Sequence, residues 1–215
     1  MNGENAAELI LLLMVAGFIV LRLRSVLGRR VGFERGPVAA APDKGVPVID
    51  GVAEPARPKR ELPPADSLAG QGLAAIRRAD SSFDPQRFLS NAESAFRAIV
   101  AAFARGDRAT LKTLLGPDTF TAFERAISAR ETAGEVQTSE IKAVPSVTVL
   151  SATMAGSTAR IVLRLVSDQV STVLDSKGAP VSGTDAVTEL TDVWTFERDT
   201  RSPDPAWLLV DARAG

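Results

Sequence analysis

Leu9 to Leu21 is an unbroken apolar run of thirteen residues, and what flanks it decides what it can become. The wider stretch Ala6–Leu23 takes in Glu8 at one end and Arg22 at the other. A helix that spans a bilayer needs roughly 20 mostly apolar residues. Arg22 and Arg24 can extend a short run, because a guanidinium on a long stem rises to the interface while its methylenes stay apolar. A secretory signal peptide has its positive charge before the apolar stretch. Here Glu4 and Glu8 precede it, and Arg22, Arg24, Arg29, Arg30 and Arg35 follow. That order points to a single-pass anchor, with a buried core helix as the alternative. Basic residues beside a span stay on the cytoplasmic side. The expected topology is therefore N-terminus out, with the rest of the chain in the cytoplasm. Arg22, Arg24, Arg29 and Arg30 also suit anionic lipid head groups, although a plain topology signal accounts for them equally well.

A second kind of sequence begins at about residue 32. Pro37, Pro42, Pro47, Pro55, Pro58, Pro63 and Pro64 break any helix or central strand across this stretch. Between Arg22 and Arg60 stand nine basic and four acidic residues, so the local charge is positive. Residues 32–66 therefore read as a disordered, partly extended linker. Val46–Asp50 (VPVID) is an apolar island within it, either a docking peptide or an incidental turn.

The missing residue types restrict chemistry more than those present. The 215-residue chain has no Cys, no His and no Tyr. Thiolate zinc sites, iron–sulfur clusters, His-based triads and cysteine nucleophiles are excluded. An enzyme here would have to work with carboxylates, Lys, Arg, Ser and Thr, so no catalytic residues, metal or cofactor are expected. The formal net charge of −1 gives no bulk attraction to nucleic acid.

From Asp66 onward, helical spacing appears. Ser67 to Ala79 carries Leu68, Leu73 and Ile76 on one side, with Gly70 and Gly72 weakening it. Asp84 before Pro85 is an N-cap followed by proline at the first helical position. Phe88, Leu89, Ala92, Phe96, Ile99, Val100 and Phe103 then recur at helical spacing, and Gly106 closes the helix. Asp107 can cap a short helix with Leu111, Leu114 and Leu115. Pro117 opens another, with Phe120, Phe123 and Ile127 on its apolar face and Gly134 as its stop. After Gly134 the period changes to two. Strand patterns cover Val136–Met154, Ala159–Leu174, Thr188–Glu197 and Trp207–Ala212. Helices followed by a meander of strands indicate an α+β domain over residues 67–215. Its helices would cover one face of a curved antiparallel sheet, a cystatin-like or NTF2-like cone.

Four stretches carry a resemblance. They are LRLRSVLGRR (Leu21–Arg30), the helical segment Phe83–Leu115, ARIVLRLVSDQV (Ala159–Val170), and DVWTFERD with SPDPAW between Asp192 and Trp207. In this order the chain resembles the bacterial TimA group of the Tim44-like family, relatives of the matrix-side scaffold of the mitochondrial import motor. Asn91 stands where the family usually has Gly, and Ala206 and Asp211 also depart from its pattern. The resemblance implies a tethered, non-enzymatic adaptor at the bacterial inner membrane, in protein translocation or membrane-complex assembly. It also implies a large apolar pocket on the concave sheet face. Expected partners are anionic lipid such as cardiolipin and membrane or chaperone-related proteins. A lipid-binding module using the pocket and the basic flank is the alternative.

Candidate pocket residues are Phe96, Phe103, Phe120, Phe123, Trp194 and Trp207, each of which could equally be ordinary core. Asp84, Asp107 and Asp118 fall at helix starts, where a carboxylate caps backbone N–H groups. Asp192 and Glu197 could serve as pocket bases. Of the 25 basic residues, 20 are Arg, whose fork suits phosphate; a GC-rich genome gives the same bias.

Overall fold

The structure, a computed structural model, describes residues 59–215. The expected anchor (1–31), with Arg22, Arg24, Arg29 and Arg30, lies outside the described residues. So does the linker as far as residue 58, including Val46–Asp50. Among the described residues no helix is long and apolar enough to cross a membrane.

Four helices come first, each set by local chemistry. Helix α1 (Leu68–Ala79) starts at Ser67, whose hydroxyl accepts the Gly70 N–H at 3.0 Å. Helix α2 (Pro85–Arg105) starts at Asp84, whose carboxylate accepts the Arg87 N–H at 2.7 Å, and it ends at Gly106. Helix α3 (Arg108–Leu114) is capped by Asp107 in the same way through the Thr110 N–H at 3.0 Å. Helix α4 (Pro117–Thr132) departs from expectation at its start. Its N-cap is Gly116, which has no side chain to cap with, and Asp118 lies in the first turn instead. The neighbouring Thr119 hydroxyl donates to the Val210 carbonyl at 2.8 Å, which ties the helix to the sheet.

Strands β1 (Val136–Ala155), β2 (Thr158–Leu174), β3 (Pro180–Asp199) and β4 (Leu208–Ala214) pair in chain order, all antiparallel. The domain is therefore α+β, with its helices ahead of a four-stranded meander. Strand β3 begins eight residues earlier than the apolar alternation predicts. Asp175 explains the early start, because its carboxylate accepts the N–H groups of Lys177 and Ala179, both at 2.8 Å, and so closes the hairpin. Gly183 then takes φ 84°, where a Cβ would lie 2.1 Å from the Ser171 carbonyl oxygen. Only glycine fits there, and after Thr184 the register shifts before pairing resumes at Thr188.

Alternate residues of β2 point inward: Ala159, Ile161, Leu163 and Leu165 are fully buried. Ile161 pairs with Phe196 and Leu163 with Trp194. Against them lies the apolar stripe of α2, with Phe88, Leu89, Phe96 and Ile99 buried. Each such side chain contributes about 1.5–3 kcal/mol on burial. Helices α1 and α2 pack on β1. The α3–α4 junction is joined to β4 through the Gly116 N–H, which donates to the Leu209 carbonyl at 2.8 Å.

The chain is tied to the sheet before α1 begins. The Lys59 N–H donates to the Pro145 carbonyl at 2.9 Å, and the Val147 N–H donates to the Lys59 carbonyl at 3.0 Å. Pro145 is tolerated in β1 because that strand is a sheet edge. Arg60 then donates through Nε to the buried Glu93 carboxylate at 2.8 Å, and Arg97 reaches the same group at 3.2 Å.

Gly72 shows why α1 tolerates glycine. A Cβ there would lie 1.8 Å from the Ala152 carbonyl oxygen on β1. At an ordinary helix position Gly→Ala stabilises by up to about 1 kcal/mol. Here Gly72→Ala is expected to destabilise by about 1–3 kcal/mol through overpacking. Thermal denaturation of the full chain checks the reversed sign, as a fall of about 2–4 °C per kcal/mol.

Candidate functional site

Five of the six candidate aromatics make ring contacts, at three places strung along α2. At its middle, Phe96 meets Trp194 edge to face, with ring centroids 4.7 Å apart and both rings buried. Towards its C-terminal end, Phe103 meets Phe123 at 5.1 Å. Arg130 covers that pair, its guanidinium 5.1 Å from the Phe103 ring centre and donating to the Phe103 carbonyl at 2.8 Å. Phe120 packs half-buried against the core. At the other end of the helix, Trp207 lies on Phe88 at 4.7 Å and on Phe83 at 5.7 Å. Phe88 and Phe103 are 15 residues apart on α2, which at 1.5 Å per residue is about 22 Å of helix. The aromatics at the two ends of α2 thus line separate regions.

Strand alternation separates the two carboxylates read as pocket bases. Asp192 is buried on the face of β3 that carries Trp194 and Phe196. Glu197 is one residue out of phase and pairs with Arg160.

Of the six aromatics, only Trp207 lines the open cleft at the N-terminal end of α2, whose volume is about 200 Å³. Its apolar floor consists of Phe83, Phe88 and Trp207, with Pro205 beside them. Arg87, Asn91 and Asp84 come from the first turns of α2, and Arg198 comes from the end of β3. Helical spacing brings residues 84, 87, 88 and 91 to one side of α2. The alternation that turns Trp194 and Phe196 inward also turns Arg198 inward.

Arg198 is nine-tenths covered, so its charge needs a partner. Its Nη1 donates to the Asp80 carboxylate at 2.6 Å, joining β3 to the α1–α2 loop. Asp80 also accepts the Ser82 hydroxyl at 2.6 Å and the Ser82 N–H at 3.0 Å. These Ser82 bonds, and after them the Arg198 guanidinium, hold the Asp80 carboxyl below its ordinary value against the opposing effect of burial. The Nε of Arg198 is buried without a hydrogen-bond partner. Leaving a donor in that state costs about 1–3 kcal/mol.

Sequence reasoning picked out Trp207 but passed over Arg87 and Arg198. The signal for Arg198 was present, since a charge on the inward phase of a strand must be paired or useful. Asn91, seen in the sequence only as a departure from a family pattern, lines this cleft.

Fold and site together define an α+β domain with a small, arginine-rimmed cleft at one end of its longest helix. The Tim44-like domain family matches residues 69–214, more than half of the chain, and the chain belongs to that family. The search of curated proteins finds no match to it. Among solved structures, the intermembrane space region of the chloroplast protein ARC6 is similar at 14% identity and TM-score 0.45, over 60% of this chain and 96% of that one. A SEC-C motif containing protein from Rhodopseudomonas palustris is similar at 17% identity and TM-score 0.30, over 70% of this chain and 91% of that one. The family assignment rests on the domain match alone.

The Asp80–Arg198 pair predicts a pH dependence. A carboxyl whose folded pKa is depressed adds stability above the unfolded value of about 3.9 and loses it as pH falls through the folded value. Asp80→Asn is therefore expected to lower the melting temperature at pH 7, where Arg198 loses its ion pair. The gap between the native chain and the variant should narrow below about pH 4. Thermal melts across that range check it, and a constant gap would contradict the assignment.

Proposed function

We infer that the protein is a membrane-tethered adaptor whose Tim44-like domain holds a protein partner at the bacterial inner membrane. The observation that carries this reading is the family match over residues 69–214. It is supported by the order of the chain, with an apolar run and basic flank ahead of a proline-studded stretch and then the domain. In this reading the anchor fixes position, with Arg22, Arg24, Arg29 and Arg30 against anionic head groups on the cytoplasmic side. The linker sets the reach, and confinement raises effective concentration so that a modest intrinsic affinity suffices. Protein translocation or membrane-complex assembly is the setting that the family suggests.

Crosslinking in native membranes tests the proposal. Proteins cross-linked to the full chain should be lost when residues 67–215 are deleted and the anchor is kept. Partners that persist in the deletion would put specificity in the anchor and linker. No cross-linked protein, with lipid retained by the domain, would favour a lipid-binding module.

A further inference from the structure

The cleft at the N-terminal end of α2 opens where the core ends, and its size and chemistry narrow what it accepts. Pockets for whole small molecules usually enclose about 300–1,000 Å³. This one, at about 200 Å³, has room for one large side chain. Protein–protein interfaces commonly concentrate their binding energy where a single apolar side chain enters such a pocket. The floor suits one, since the Trp207 ring lies 4.7 Å from Phe88 and is itself only half-buried.

Charge adds the second requirement. Arg87 makes no ion pair among the described residues and lines the rim beside the Asn91 amide. Arg198 lines the wall with its charge already paired to Asp80, so the donors left for a ligand are those of Arg87 and Asn91. The one carboxylate lining the cleft, Asp84, already accepts the Arg87 N–H at 2.7 Å. The cleft therefore has donors to spare. Asp84 also sets an upper limit on ligand charge, since a phosphate carrying nearly two negative charges would be repelled by it. A single carboxylate can take the Arg87 fork through two parallel hydrogen bonds and meets less of that repulsion.

We propose that this cleft seats a segment of a partner protein that presents a large aliphatic or aromatic side chain next to a carboxylate. The proposal rests on the adaptor reading and names the chemistry of its partner. The apolar side chain covers Trp207 and Phe88, and the carboxylate bridges Arg87 and Asn91.

Two small probes separate these parts: N-acetyl-leucine, which carries side chain and carboxylate, and N-acetyl-leucinamide, which carries the side chain alone. Binding to the full chain in lipid nanodiscs is read by saturation-transfer NMR. N-acetyl-leucine should bind about tenfold more tightly than the amide. Arg87→Gln, at an exposed position, should bring the two probes to equal affinity while the circular dichroism and melting temperature stay unchanged. Equal binding of both probes to the native chain, or a preference that survives Arg87→Gln, overturns the proposal. So does tighter binding of a peptide spanning residues 44–54, which would make this chain's own VPVID segment the occupant. If Arg87→Gln leaves every cross-linked partner in place, the cleft is not the partner's seat and the adaptor reading stands. If the native chain cross-links no protein at all, the adaptor reading fails and takes this proposal with it, whatever the probes do.

Discussion

The packing of α2 across β3 is the contact that the rest of the domain depends on. Phe96 meets Trp194, and eight residues earlier Phe88 meets Phe196 edge to face at 6.0 Å. Two residues along the strand are matched to just over two turns along the helix, so helix and strand run past each other at a fixed phase. That phase selects which face of β3 is covered, and through the register Leu163↔Trp194 and Ile161↔Phe196 it selects the face of β2 as well. A one-residue slip would bring Glu197 and Thr195 inward and turn both aromatics out. The domain holds its register because that alternative exposes two buried rings and parts Arg198 from Asp80.

The same phase makes the cleft. Carried two residues beyond Phe196, it turns Arg198 toward the helices at the point where α2 begins. There the α1–α2 loop supplies Asp80 as the partner its charge requires. The Ser82 bonds keep that carboxylate charged and oriented. Trp207, at the start of β4, closes the apolar side by lying on Phe83 and Phe88. A salt bridge, a loop and a ring thus meet where the core ends, and the opening between them is the consequence.

The helices were legible because their boundaries are written locally. Asp84–Pro85, Asp107 and Gly134 each act within a turn, and each ends or begins a helix where expected. The strands were legible only where alternation is strong. Val149 and Leu150 both read as strand residues, yet the ladder shifts between Val149 and Ser151 and leaves Leu150 38% exposed. The start of β3 was illegible because Pro180–Thr184 has no apolar period and is ordered by hairpin pairing with the end of β2. The cleft was half legible. Trp207 drew notice as a bulky aromatic, whereas Arg198 and Asp80 are 118 residues apart and only the folded sheet brings them together.

The chain's path brings residues 59 and 60 to this end of the domain. Arg60 is bonded to Glu93 on α2, and Asn91 of the cleft is two residues from Glu93 on the same helix. At 1.5 Å per residue, that is about 3 Å along the helix axis. Lys59 is held at the same time by the edge of β1. The point where the chain joins the domain is therefore set by two independent contacts, one to helix and one to sheet, and it lies within about two turns of every residue that α2 gives the cleft. A force carried along the chain from the N-terminal side meets the β1 edge at Lys59 first and α2 at Arg60 next. The far end of α2 is held by Arg130 on the Phe103 and Ala104 carbonyls. Helix α2 packs on β1 and carries the Arg60 contact at Glu93, so the entry of the chain is joined to the same element that supplies Arg87 and Asn91 to the cleft.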